Sequence, residues 1–243
     1  NGETAYTLNV KKGETIRLYL LNTANVRPFN FSIEKTQLRI LGSDLSAYEQ
    51  PFTTESIIIA PAERYIVDIS FDTAGIYKIM NSNPTNTYEL GNIIVDEEEV
   101  ETITVPLSES DMANYKQYVA QAPDFEFTLD IDMKGMIMAG MHRSEEPIEW
   151  EDTMFMMNQM HNSLMMSWFM EDDATKKHNM EIMAQGKQGE IKVLRITNKE
   201  DSPHPMQHPI HLHGQRFLVL RQDGIENKNL VWKDTVLIPK GSI

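Results

Sequence analysis

The chain is predicted to be all-β, with two copies of one sandwich or barrel unit in tandem. Two observations predict this. First, Gly13-Glu14-Thr15-Ile16-Arg17-Leu18-Tyr19-Leu20-Leu21-Asn22 reads like Gly189-Glu190-Ile191-Lys192-Val193-Leu194-Arg195-Ile196-Thr197-Asn198. Each is a Gly-Glu turn, an alternating run and a closing Asn, and the copies lie about 180 residues apart. Second, short runs rich in β-branched and aromatic residues end at Gly, Pro or Asn at close intervals, as sheet folds require.

The elements follow in order. After the opening strand, Phe29-Asn30-Phe31-Ser32-Ile33 stands where the second copy has His208 to His213. Leu38-Arg39-Ile40-Leu41 matches Phe217-Leu218-Val219-Leu220, and Ser56-Ile57-Ile58-Ile59-Ala60-Pro61 is aligned with Asp234-Thr235-Val236-Leu237-Ile238-Pro239. The first copy then continues through Glu63 to Phe71 and through Gly75-Ile76-Tyr77, which read as further strands. The second copy stops at Ile243, just past its matching proline, and is expected to be incomplete. The acidic run Asp96-Glu97-Glu98-Glu99-Val100-Glu101 reads as a solvated connector. Within the stretch from Leu107 to Glu146, Phe125 to Asp132 alternates and reads as the first strand of the next domain. The expected organisation is one domain over 1–105, a linker and Met-rich segment over 106–146, and a second domain over 147–243.

Composition limits the function. A net charge of −14 argues against a nucleic-acid partner, because phosphate binding needs clustered Lys and Arg. No apolar run is long enough to span a bilayer. The chain has no cysteine, so it contains no disulfide, no thiolate nucleophile and no Cys-based zinc site. There is also no nucleophile elbow and no phosphate-binding loop.

The densest chemical signal is His208-Pro209-Ile210-His211-Leu212-His213-Gly214. On a strand, His211 and His213 point to one face, because side chains alternate. The strand formers Phe217 to Leu220 support that reading. Two imidazoles on one face suit zinc, copper, iron or nickel, and ligand type alone does not choose among them. An H-x-H pair taken by itself is also compatible with a surface coincidence.

The whole string, together with Gln215 to Leu220 and Trp232-Lys233-Asp234-Thr235-Val236, resembles the copper-binding motif in the last domain of multicopper oxidases, the family of laccases, ascorbate oxidase and bacterial cuprous oxidases. The resemblance implies tandem cupredoxin-like Greek-key domains. The first, with Phe29, Phe31 and Ile33 in place of histidines, is similar to the family's metal-free middle domain. In the second, the resemblance implies His208 as a ligand of type 1 copper, His211 of type 2 copper and His213 of type 3 copper. Asp234 is a candidate for orienting a ligand or accepting a proton; a plain strand-end carboxylate is the alternative. The family's first cupredoxin domain, and the Cys-containing segment that completes the copper sites, have no counterpart in this chain and are expected partners of it.

Methionine is the second unusual signal: 16 residues, most of them between Met133 and Met183. Thioether sulfur is soft and prefers Cu(I). Met133, Met136, Met138 and Met141, beside His142 and broken by Gly135 and Gly140, are candidate Cu(I) contacts. Filling of irregular core gaps is the alternative, and it is preferred for Met154, Met156 and Met157 near Trp150 and Phe155. His204 reads as a loop residue, and His161 and His178 carry no spacing signal.

The expected function is thus a portion of a laccase-like oxidase. It would couple one-electron oxidation of a phenolic or aromatic substrate to four-electron reduction of dioxygen to water, in the periplasm or outside the cell. The chain alone is expected to be inactive. The alternatives are a cuprous oxidase serving copper tolerance, with Cu(I) as substrate, and a non-catalytic copper-binding or structural cupredoxin fragment.

Overall fold

The computed structural model describes residues 5–107, 110–133, 146–151, 166–203 and 205–243, with the side chains of Met133 and Met166 outside that description. The chain divides into two compact units. One comprises Asn1–Met112, His211–Val219 and Asn229–Val236. The other comprises Ala113–Ile210, Leu220–Lys228 and Leu237–Ile243.

The first unit is a two-sheet sandwich. One sheet has the order β1 (Tyr6–Lys12), β9 (Thr87–Glu99), β8 (Gly75–Ser82), β3 (Phe29–Ile33), β6 (Ser56–Ile59). The other has the order β2 (Thr15–Leu21), β7 (Arg64–Ser70), β4 (Leu38–Ser43), β5 (Ser46–Thr54). Strand alternation sends every second residue inward. Phe31 and Ile33, Leu38 and Ile40, Tyr65, Val67 and Ile69, and Ile93 and Val95 all join one buried cluster with Val10, Ile59, Phe71 and Tyr77. The all-β class expected from the repeat is the class observed.

The acidic run is not a connector. Asp96 to Glu99 extends β9, in parallel register with β1. Two lysines of β1 explain why these carboxylates tolerate a strand: Lys11 pairs with Glu98, and Lys12 with Glu99 at 3.0 Å.

In the second unit, β10 (Phe125–Met133) lies between β11 (Met166–Asp172), antiparallel to it, and β12 (Leu194–Asn198), parallel to it. The strand expected over Phe125 to Asp132 is therefore present. Further on, β13 (His208–His211) pairs with β16 (Thr235–Ile238), and β14 (Arg221–Gln222) forms a short hairpin with β15 (Ile225–Glu226). Phe217 to Leu220 does not form the expected strand. Phe217 makes a single bridge to Lys233, whereas its counterpart β4 is bonded on both sides, to β5 and β7. A ladder needs partners, and here one rung is supplied.

The repeat is visible in the geometry of each copy. Gly13 and Gly189 adopt φ +82° and +85°, the left-handed region open to glycine. After each, the Glu side chain caps its own turn: Glu14 accepts from the Lys11 amide at 2.8 Å, and Glu190 from the Lys187 amide at 2.9 Å. Each copy also buries its closing asparagine. Asn22 donates to the carbonyls of Arg27 and Ile59, and Asn198 to those of Met206, Ile238 and Pro239.

These bonds correct the alignment by one residue. Asn22 reaches Ile59 and Asn198 reaches Ile238, so Ala60, and not Pro61, matches Pro239. The backbone agrees: the Asn22 amide bonds to Glu63 and the Asn198 amide to Ser242. Thr235 therefore corresponds to Ser56, the first residue of β6.

Candidate metal centre

The histidine segment is held by the residues that lead into β16. Leu212 donates its amide to the Asp234 carbonyl at 2.9 Å, and Phe217 and Lys233 exchange amide–carbonyl bonds at 2.8 and 2.9 Å. Strand β13 ends at His211, so His213 is not on the strand as expected. It occupies the turn that leads to Gly214, whose φ is +71°. The two rings are nonetheless adjacent, with centroids 4.8 Å apart and planes at 75°.

His211 is oriented from behind. Its Nδ1 lies 2.9 Å from Thr235 Oγ1, and Thr235 Oγ1 donates to Asp234 Oδ1 at 2.8 Å. Arg64 grips the same carboxylate with both ends of its guanidinium, Nη1 to Oδ1 at 2.6 Å and Nη2 to Oδ2 at 2.7 Å. Such a two-point fork fixes orientation as well as distance. The hydrogen bonds from Arg64 hold the Asp234 carboxyl below the usual carboxylate range, against the opposing effect of burial. The same pairing holds the Arg64 guanidinium above its ordinary value.

Behind this pair lies a buried ionic cluster. Lys233 Nζ bonds Ser43 Oγ at 2.7 Å, Glu63 Oε1 at 2.8 Å and Asp44 Oδ2 at 3.2 Å. The Lys233, Glu63 and Asp44 side chains are 7, 5 and 0% exposed, so an unpaired charge among them would be costly. Asp44 also accepts from the amides of Arg64 (2.9 Å), Asp234 (3.4 Å) and Thr235 (3.3 Å), which fixes the backbone carrying the Thr235 hydroxyl. On the outer side, Arg216 stacks over the Trp232 ring at 4.2 Å.

The placement of the expected residues is as follows. His211 and His213 are brought together, and Asp234 Oδ1 lies 3.6 Å from His211 Nδ1. His208 belongs to the other compact unit, where its ring meets Trp168 edge-on at 5.1 Å. Met136, Met138, Met141, His204 and the Met133 side chain lie outside the described residues. Among the described residues, no group of three or more His, Cys, Asp or Glu is disposed to hold a metal.

What is present fits copper as a partial donor set. Two imidazoles are adjacent, and one of them is engaged at Nδ1 while 37% of its side-chain surface stays open to solvent. Sequence reasoning did not find Thr235, Arg64, Asp44, Glu63 or Lys233. The only signal for the first was its place beside Asp234 in the Trp232 to Val236 segment.

Comparison with known proteins gives consistent matches. Two family models, both described as multicopper oxidase, match residues 1–99 and 150–243. Among solved structures, the chain is similar to a laccase-like multi-copper oxidase CueO from Ochrobactrum sp., described as having oxidase activity towards lignin model compounds and lignosulfonate. The identity is 23% over 97% of this chain and 50% of that one, with TM-score 0.63. It is also similar to a multicopper oxidase from Campylobacter jejuni described as a metallo-oxidase, at 17% identity over 97% of this chain and 47% of that one, TM-score 0.62. A laccase from Botrytis aclada matches at 17% identity over 99% and 48%, TM-score 0.59. The chain thus spans about half the length of the solved structures it matches. Among curated protein sequences no match is found.

Proposed function

The chain belongs to the multicopper oxidase family, and from that premise we propose that it is a portion of a laccase-like oxidase in which His208, His211 and His213 are copper ligands. The roles follow the family motif: His208 in the type 1 site, His211 in the type 2 site and His213 in the type 3 pair. The proposed organisation along the sequence is a metal-free domain over 1–105, a linker and Met-rich segment over 106–146, and a copper-bearing domain over 147–243. The whole protein would couple four one-electron oxidations of a phenolic or aromatic substrate to reduction of dioxygen to water, in the periplasm or outside the cell. The chain alone would be inactive.

The observation that carries this reading is the adjacency of the His211 and His213 rings, 4.8 Å apart, with His211 anchored at Nδ1. Copper, when bound, supplies one-electron redox chemistry at these imidazoles. The chain's own contribution is to aim and hold the rings. Thr235 fixes the plane of His211, and the Leu212 and Phe217 backbone bonds hold the intervening segment against Lys233 and Asp234. Among the described residues, no helix is long and apolar enough to cross a membrane.

A second reading, a cuprous oxidase serving copper tolerance, is favoured by the soft thioethers of Met133, Met136, Met138 and Met141 in the sequence. One experiment separates the readings: dioxygen uptake by the full-length protein with a phenol and with Cu(I). A laccase keeps phenol turnover when Met136, Met138 and Met141 are replaced by leucine. A cuprous oxidase loses Cu(I) turnover alone. Either loses both activities in H211A and H213A. Uptake that survives H211A and H213A unchanged overturns both readings, and no uptake with either donor in the unaltered protein overturns both in favour of a non-catalytic cupredoxin fragment.

A further inference from the structure

We propose that Arg64, Asp234 and Thr235 are positioning residues that lock His211 as its Nδ1–H tautomer and so dedicate Nε2 to copper. The inference rests on the reading of His211 as a ligand, and it adds the reason that one nitrogen is used.

The argument counts protons. Arg64 donates to both oxygens of Asp234, at 2.6 and 2.7 Å, and a carboxylate held in this way has no proton to give. Asp234 Oδ1 and Thr235 Oγ1 are 2.8 Å apart, a separation that requires a hydrogen between them. Only the hydroxyl can supply it. A hydroxyl has one proton, so Thr235 has none left for the imidazole and meets His211 Nδ1 as an acceptor. The 2.9 Å contact therefore places a proton on Nδ1. A neutral imidazole carries one proton, so Nε2 is left with a lone pair.

The arrangement is rigid as well as correctly polarised. Thr235 is fully buried. Its amide and that of Asp234 are both held by Asp44, which in turn binds the Arg64 amide. The hydroxyl is thus fixed from the backbone side and the carboxylate from the guanidinium side. Neutral imidazole in water prefers the Nε2–H form, so without the chain the ring would present the wrong nitrogen.

The test is two-bond proton–nitrogen NMR on the chain labelled with nitrogen-15 at histidine. It is run without metal and above about pH 8, where an ordinary histidine is neutral. The His211 ring is expected to show a pyridine-type Nε2 and a protonated Nδ1. Thr235→Val, which has the same shape and no acceptor, is expected to shift the ring toward Nε2–H, and Thr235→Ser to restore the Nδ1–H form. Competition titration with Cu(II) is expected to show 10–100-fold weaker binding in T235V and near-normal binding in T235S, the size of effect seen when a group supporting a ligating histidine is removed. An Nε2–H ring in the unaltered chain overturns the proposal with no variant needed, as does an unchanged tautomer in T235V. A shifted tautomer with unchanged copper affinity, where H211A abolishes binding, overturns the dedication of Nε2. Copper binding indifferent to H211A sinks the ligand reading alone and leaves the tautomer result standing as a separate observation.

Discussion

Asn22 and Asn198 hold equivalent positions in the two copies of the repeat. Each is buried, at 1 and 2% exposure, and each directs its amide nitrogen to carbonyl oxygens at the end of the strand that lies across from it. Asn22 ties the Ile59 end of β6 to the Arg27 loop. Asn198 ties the Ile238 end of β16 to the Met206 loop, directly before His208. In both copies, a single side chain satisfies carbonyls where the ladder ends.

Replacing Asn198 by Ala should therefore be costly. It leaves the Met206, Ile238 and Pro239 carbonyls without this donor, and an orphaned buried polar group costs about 1–3 kcal/mol. We expect a loss of about 2–3 kcal/mol in urea denaturation for N198A, and a similar loss for N22A. A change below about 0.5 kcal/mol in both would mean that water replaces the amide freely.

Lys233 is the counter-ion of a buried acidic pair. K233M leaves Glu63 and Asp44 facing each other with one cation fewer, and breaking a buried ion pair from one side costs about 3–5 kcal/mol. Adding Glu63→Gln should recover a part of that loss. Equal stability of the single and double variants in chemical denaturation would contradict the pairing.

In the second unit, Asp130 gives a pH signature. Burial pushes its carboxyl up, but hydrogen bonds from Lys199, at 2.7 Å, and from the Ile131 amide outweigh this and hold it below its ordinary value. A carboxylate with a depressed folded-state pKa contributes stability above its unfolded value of about 3.9 and loses it as pH falls through the folded value. D130N should therefore lose roughly 1 kcal/mol at pH 7, with the partly exposed Lys199 limiting the effect. The difference from wild type should shrink below about pH 4. A stability gap independent of pH would contradict the assignment.

Gly214 sets the turn after His213 with φ +71°, and an added Cβ would meet open space. The cost of G214A is thus backbone strain alone, about 1–2 kcal/mol. We expect copper affinity to fall more than global stability, because the strained turn carries a ligand. Equal affinity in G214A and wild type would show that the turn does not aim His213.

The repeat, the all-β class and the pairing of His211 with His213 were legible in the sequence, because turns, alternation and closely spaced imidazoles are local signals. The register of the Pro61 and Pro239 segments was not. Ile57 to Ala60 and Val236 to Ile238 are continuous apolar runs, so sliding one by a residue leaves the pattern intact, and only the bonds from Asn22 and Asn198 decide. The acidic run 96–99 was misread because charge reports solvation, and its partners Lys11 and Lys12 are remote in sequence. The support of His211 was hidden for the same reason. Arg64 and Asp44 come from the first copy, and nothing near them in sequence points to Asp234 or Thr235.

The central claim, that His211 and His213 are both copper ligands, is tested most directly by titrating the chain with Cu(II) and following imidazole-nitrogen coupling by pulsed electron paramagnetic resonance. Coupling and bound copper that fall in H211A and fall again in H213A, each ring serving its own copper, are the predicted result. Spectra and affinity unchanged in both variants would contradict it.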